Sequence, residues 1–425
     1  MEFQTQEAYW QELESRGKLP LGFRTSTVSF SFLPKERPVK SPLPMKLNLL
    51  LLDEPTPSFA SVFTRNAFAG SPVIVGREQI QEPFTRGVVI NNKIANVGVM
   101  SGLEDARKIQ KAVSTLLDIQ SKEIFPASTG IIGWSLPIQD MVAALPGLVD
   151  GLQSRSALPL AKGIMTTDSY PKLRSFTLGG GSIVGIAKGA GMIEPNMATM
   201  LVYVMTDLDV PRDELRAMLS RVAENTFNCI SVDSDQSTSD MAMVFSSCKV
   251  PCPNLDDFEA GLQQVCQELA MDIVRNGEGT AHVLEVLVKG TPSREFAKAV
   301  GKAVVNSPLV KTAVFGNDPN VGRLVSSVGD YLGNQGLSLD RSTFRIDIGP
   351  YTVFKKGGFC IDMEKEELLF RYFKQAAQPE KKEGYPRHER NVKIFIDFGT
   401  GEAQATVLGS DLSYEYVREN ADYRS

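Results

Sequence analysis

The chain has 425 residues, 42% of them hydrophobic, which at about 150 residues per domain is enough for two or three units with cores of their own. Its 45 basic and 50 acidic side chains give a formal net charge of −5, so no overall positive field draws it to nucleic acid or to an anionic membrane surface. The most apolar run, Leu47 to Leu52, is broken by Asn48 and stops at Asp53, far short of the roughly 20 residues that a membrane helix needs. The N-terminal stretch carries Glu2, Glu7, Glu12 and Glu14 and no apolar segment of the signal-peptide kind, so the cytoplasm is the expected location.

A helix is predicted over Glu7 to Arg16, followed by strand-like runs at Thr27 to Leu33, Lys46 to Leu52, Val73 to Val75 and Gly87 to Ile90. Leu103 to Gln120 has helical periodicity in Ile109, Val113, Leu116 and Leu117. Phe176 to Leu178 and Ile183 to Ala187 read as two strands joined by the Gly179 to Ser182 turn; the apolar flanks suit a hairpin, not a phosphate loop. Pro211 to Asn225 and Leu255 to Arg275 are predicted helices, the second ending before Gly277. Beyond Gly290 the pattern predicts a helix, a short strand at Val310 to Phe315, a helix at Val321 to Leu332, a Glu-rich helix near Glu364 to Gln375, and a closing hairpin of Val392 to Phe398 and Glu402 to Leu408 around Gly399-Thr400-Gly401. The chain is therefore expected to be mixed α/β, without internal repeats.

Five scattered cysteines exclude a disulfide scaffold, and Cys248 and Cys252, which flank Pro251, lack the further Cys or His ligands of a zinc site. There are two histidines, His282 in an apolar stretch and His388 in a charged loop, which read as a packed and a solvated residue. Any catalytic base is then expected to be something other than histidine.

The densest feature is the segment from Lys188 to Leu201, Lys-Gly-Ala-Gly-Met-Ile-Glu-Pro-Asn-Met-Ala-Thr-Met-Leu, whose loop runs into a β-prone segment starting at Thr199. If the chain is cut before Thr199, the freed α-amine, with a reference pKa of about 7.7 to 8.0, can act as base for that residue's own hydroxyl. One residue then supplies both nucleophile and base, and the β-branch of threonine helps to aim the hydroxyl. The same hydroxyl would attack the Ala198 carbonyl in self-cleavage, for which a Gly- and Pro-shaped loop is the expected setting.

This segment resembles the autocleavage motif of the ornithine acetyltransferases, also called the glutamate N-acetyltransferases of arginine biosynthesis, which are self-processing N-terminal-nucleophile enzymes. Other segments agree in order along most of the chain: Ala127-Ser128-Thr129-Gly130-Ile131-Ile132-Gly133, Met165-Thr166-Thr167-Asp168-Ser169-Tyr170-Pro171-Lys172, Ile230 to Asp235, Arg275-Asn276-Gly277-Glu278-Gly279, and Asp411 to Ser425. The resemblance implies a layered fold with β-sheets packed between helices, cleaved at Ala198-Thr199 into an α chain, 1–198, and a β chain, 199–425. It implies Thr199 as nucleophile, Thr129 with Gly130 as oxyanion hole, and substrate contacts from Thr166 or Thr167, Lys188, Thr199, Glu278, Asn420 and Ser425. The substrates so implied are N2-acetylornithine and glutamate, with acetyl-CoA a further donor in some members. No metal or coenzyme is implied, and the α and β chains pair and dimerise. Asp233 and Asp235 read as turn or cap residues.

The chain departs from that pattern in places. Asn91 to Gly102 stands where the family has a stretch like SGNANACTG, Val321 replaces the Trp of a DPNWGR-like segment, Asn276 replaces Asp before the GEG, and Ser425 stands where Thr is usual. Two other readings share these features: an amidohydrolase or aminopeptidase of related fold, in which water takes the acyl group, and a binding relative without catalysis.

Overall fold

The computed structural model describes residues 2–37, 39, 41–194, 200–379 and 383–421. Three sheets organise the chain, which is mixed α/β as expected. The first has the order Phe23–Phe32, Leu43–Thr56, Thr85–Asn91, Ile124–Ser128. The second runs Phe59–Phe63, Met241–Pro251, Leu201–Asp209, Gly181–Lys188, Lys172–Leu178.

Alternation along these strands builds the layers. Leu50 and Leu52 of the first sheet share one core with Val184, Ile186, Tyr203, Met205, Met243 and Phe245 of the second, so the two sheets pack face to face. The opposite face of the first sheet, with Leu47, Leu49 and Leu51, packs on the helices Gly102–Leu117 and Ile138–Asp150 through Ile109, Val113, Met141 and Leu145. The outer face of the second, with Ile183, Val202, Val204 and Val244, packs on Arg212–Asn225 and Leu255–Arg275. Helices thus cover both outer faces of a two-sheet centre, the layering that the motif resemblance implies. The helix Leu255–Arg275 shows why: Phe258, Leu262, Val265, Cys266, Leu269 and Ile273 form its buried stripe, and the Asn254 side chain caps its start by accepting from the Asp256 and Asp257 amides.

A third sheet, of seven strands, carries most of the C-terminal part, in the order Gly358–Phe359, Tyr351–Lys355, Arg345–Ile348, Val392–Asp397, Val283–Thr291, Ala403–Ser410, Ile230–Ser231. It corrects the expected closing hairpin. Val392–Asp397 and Ala403–Ser410 are not paired to each other, because Val283–Thr291 lies between them, parallel to the first and antiparallel to the second. Its Val286 and Val288 are fully buried in the core of this sheet, beside Ile394, Ile396 and Val407 of the two neighbours.

Two short β-branched runs prove to be helical. Val73 to Val75 lies in the helix Ser71–Gln79, started by Pro72 in the first turn, with Val73 in the inter-sheet core. Val310 to Phe315 lies in the helix Pro308–Phe315, whose Ser307 cap accepts from the Val310 amide. Tertiary burial and a Ser-Pro start, Ser71-Pro72 in one and Ser307-Pro308 in the other, override strand propensity in both. The hairpin Lys172–Leu178 with Gly181–Lys188 forms as expected, in antiparallel register. Among the described residues no helix is long and apolar enough to cross a membrane.

Candidate active site

Seven of the residues singled out in the sequence line one cavity of about 290 Å³: Thr129, Gly130, Thr166, Thr167, Lys188, Glu278 and Asn420. Ala198, Thr199 and Ser425 lie outside the described residues. Lys188 pairs with Leu201 in the antiparallel register of Gly181–Lys188 and Leu201–Asp209, so the cavity lies beside the start of the strand Leu201–Asp209.

Thr129 and Gly130 extend from the end of the buried strand Ile124–Ser128. The Ser128 hydroxyl donates to Asn91 Oδ1 at 2.6 Å, the Thr129 amide to the Asn91 carbonyl at 3.1 Å, and the Ile131 amide to the Lys93 carbonyl at 2.9 Å. These bonds press Gly130 against the 91–94 backbone, at φ +130°, where a Cβ would sit 2.2 Å from the Lys93 carbonyl. Only glycine fits there. With the Thr129 and Ile131 amides engaged, the Thr129 hydroxyl and the Gly130 amide remain as donors on residues that line the cavity.

Asp168 ties the two flanking walls together. Its carboxylate accepts from the Thr166 amide at 3.0 Å and from the Gly189 amide at 2.9 Å, and forms an ion pair with Lys172 in which both side chains are fully buried. Burial would raise its pKa, but the Lys172 and Lys188 ammoniums and these hydrogen bonds outweigh it and hold the carboxyl well below its ordinary range. Burial pushes the Lys172 ammonium down against the pull of Asp168. Lys172 also donates to Asn276 Oδ1 at 3.1 Å, and the same oxygen accepts from the Ser169 amide at 3.1 Å.

On the other side, Glu278 reaches beneath the Lys188 loop, its amide donating to the Ala190 carbonyl at 2.9 Å. A Cβ on Gly191 would lie 2.3 Å from Glu278 Oε2, so this glycine leaves the space that the carboxylate fills. Asn420 Nδ2, near the end of the helix Tyr414–Ala421, donates to the same Oε2 at 3.0 Å. Asp233, read from the sequence as a turn residue, does more than that: its carboxylate accepts from the Met192 and Ile193 amides at 2.7 Å each, bracing the loop. Burial raises its pKa despite those bonds.

Asp240, next to the cavity-lining Ser239, is a buried acid that the sequence reading did not single out. It is buried at the start of Met241–Pro251, where the Met241 amide donates to the Met200 carbonyl at 2.9 Å, and its Oδ2 has no hydrogen-bond partner among the described residues. Burial drives its pKa well above the ordinary value, against the field of Lys188. The signal in the sequence was an Asp at the edge of a polar run, which alone does not distinguish a loop from a core. His282 is packed, with Nδ1 2.8 Å from Asp411 Oδ2 and Nε2 3.3 Å from Asn317 Oδ1. His388 is not freely solvated as expected; it is half-buried, with Nε2 3.0 Å from the Ala377 carbonyl, and burial lowers its pKa.

A family model described as the ArgJ family matches residues 37–425. The chain belongs to the ArgJ family. It is similar to the arginine biosynthesis bifunctional protein ArgJ 2 of Clostridium acetobutylicum, 37% identical over 380 residues that cover 89% of this chain and 93% of the relative. It is likewise similar to a glutamate N-acetyltransferase of Methanocaldococcus jannaschii, 38% identical over 393 residues, 88% of this chain and 93% of that one. Among solved structures, the ArgJ of Bacillus halodurans matches with a TM-score of 0.45 at 33% identity, covering 52% of this chain and 98% of that chain.

Three of the departures from the ArgJ pattern, all but Ser425, lie among the described residues and have structural roles. Asn276 is fully buried and receives Lys172 and the Ser169 amide. Val321 is buried in the core of the third sheet, in the first turn of the helix Val321–Asn334. In the Asn91 to Gly102 stretch, Lys93 and Asn96 adopt φ of +74° and +56°, and Asn96 Nδ2 donates to the Gly102 carbonyl at 2.9 Å, so side chains hold a turn that glycines could also make.

Proposed function

We propose that this ArgJ-family chain transfers the acetyl group of N2-acetylornithine to L-glutamate, through an acetyl ester on Thr199 formed after self-cleavage between Ala198 and Thr199. The observation that carries the reading is the cavity itself, which sets a Thr hydroxyl and Gly amide against Lys188 and Glu278. Those two charges are opposite, as are the α-carboxylate and side-chain ammonium of acetylornithine.

In the proposed cycle the Thr199 α-amine takes the proton of its own hydroxyl as the oxygen attacks the acetyl carbonyl. The Thr129 hydroxyl and Gly130 amide donate to the resulting oxyanion. Collapse breaks the amide C–N bond, and the proton goes to the departing ornithine nitrogen. Glutamate then enters, its amine attacks the ester, and N-acetylglutamate leaves with the Thr199 hydroxyl restored. Lys188 holds the α-carboxylate; Thr166 or Thr167, Asn420 and Ser425 complete the substrate contacts. Chains 1–198 and 199–425 remain paired and the pairs dimerise, the enzyme works in the cytoplasm, and acetyl-CoA is a second donor to score in the same assay.

Mass spectrometry of the purified protein tests the processing step: wild type gives fragments 1–198 and 199–425, and Thr199→Ala stays a single chain. A single-chain wild type with full transferase activity overturns the mechanism. Acetyl release that does not depend on glutamate would favour the hydrolase reading, and processed protein with no turnover the binding reading.

A further inference from the structure

A second cavity, of about 440 Å³, adjoins the first, and Gly130, Ile131, Thr166 and Thr167 line both. Its chemistry is the reverse of the Glu278 side. The charged residues around it are Lys46, Lys93 and Lys162, with no carboxylate in its lining. Lys46 Nζ donates to the Lys162 carbonyl at 3.4 Å, which holds the Lys46 chain along the wall. The Lys162 ammonium sits 3.7 Å from the centre of the Trp10 ring, with Glu14 in its field, so its charge is already partly answered. The Lys93 ammonium has no hydrogen bond or ion pair among the described residues, although its backbone is fixed against Gly130. Three lysines around one cavity with no carboxylate in its lining, only Lys162 having a carboxylate in its field, favour an anionic occupant.

The proposed reaction presents a difficulty that this arrangement resolves. Donor and acceptor share an α-amino-acid core and use one nucleophile, yet one side chain ends in an ammonium and the other in a carboxylate. The buried carboxylate of Glu278 suits the first and repels the second.

We propose that the two cavities are separate side-chain subsites branching from one acyl centre: the ornithine ammonium lies toward Glu278, and the γ-carboxylate of the acceptor glutamate lies toward Lys93 and Lys46 across the Gly130–Thr166 partition. The proposal rests on the acetyl-transfer reading for its ligand, while the basic cavity stands on geometry alone. Lys93 belongs to the stretch where this chain departs from the SGNANACTG-like pattern, and it lines the basic cavity.

The test is calorimetric binding of L-glutamate and of L-ornithine to the full-length processed protein, wild type against Lys93→Gln and, because Lys93 lies in a constrained turn, separately Lys46→Gln. Glutamate affinity should fall about tenfold or more in each variant while ornithine affinity stays within about twofold, a split that general damage to the site would not give. In the transfer assay the KM for glutamate should rise in parallel. Glutamate affinity within about twofold of wild type in both variants, equal weakening of both ligands, or no glutamate binding to wild type overturns the proposal. Lysine-dependent glutamate binding without acetyl transfer would keep the subsite and remove the reaction, whereas transfer that is indifferent to both lysines would do the opposite.

Discussion

Asp168→Asn is the substitution that most directly couples the fold to the site. Both Asp168 and its partner Lys172 have fully buried side chains, so removing the negative charge leaves an ammonium without its counter-ion in the interior. Breaking such a pair from one side costs about 3 to 5 kcal/mol. At an unfolding entropy of roughly 2.1 cal/mol/K per residue, and if all 425 residues unfold together, that is a fall in Tm of about 3 to 6 °C. The asparagine retains one acceptor oxygen for the Thr166 or Gly189 amide but not the charge, so the segments bearing Thr166 and Lys188 should loosen with respect to each other. The kcat/KM for acetylornithine should therefore fall with stability. Asp168→Asn combined with Lys172→Met should recover much of the loss, because no buried charge is then stranded. The folded-state pKa of Asp168 lies below its ordinary 3.8, so its contribution is complete above about pH 5 and is lost as the pH falls through 3.8 toward the folded-state value. Denaturant unfolding of wild type, both single variants and the double variant at pH 7 and at pH 4 measures this. Asp168→Asn within about 1 kcal/mol of wild type at pH 7, with transfer unchanged, would refute the role assigned to the pair.

Glu278→Gln should lower kcat/KM for acetylornithine by about 10- to 150-fold, from the roughly 1.5 to 3 kcal/mol of a charge-assisted hydrogen bond, and affect a donor without a side-chain ammonium much less; steady-state kinetics with both donors checks it. Gly191→Ala places a Cβ 2.3 Å from the Glu278 carboxylate, the mobile end of its side chain, so the carboxylate should be displaced and acetylornithine turnover should drop while stability falls by only about 1 kcal/mol, as unfolding and kinetics on the same sample would show. Asp240 has a raised folded-state pKa, so its own contribution to stability is greatest below the unfolded carboxyl value and declines as the pH rises from there; Asp240→Asn should be more stable than wild type at pH 8 and should remove this part of the pH dependence between pH 4 and 8, as Tm profiles of both proteins would show.

Much of the local structure was legible in the sequence. The apolar stripe of Leu255–Arg275 and the glycine turn between Lys172–Leu178 and Gly181–Lys188 are encoded within a few residues, so a local reading suffices for them. The cavity residues Thr129, Gly130, Lys188 and Glu278 were likewise named from ordered motifs, but their meeting around one space was not, since 149 positions separate Thr129 from Glu278 and no local signal spans that distance. Val73 to Val75 and Val310 to Phe315 were misread because β-branched propensity is weak beside burial and a Pro-started first turn. The expected hairpin of Val392 and Glu402 failed for a different reason: strand partnership depends on which apolar edge a third strand can bury, and Val283–Thr291 arrives from over 100 residues earlier. The sequence by itself determined the longer periodic helices, the Gly179 to Ser182 hairpin and the chemical inventory. Only the tertiary structure decided the buried Asp168–Lys172 tie, the Asp233 brace and the basic cavity beside Gly130, because burial and charge proximity belong to pairs of residues and not to either residue alone.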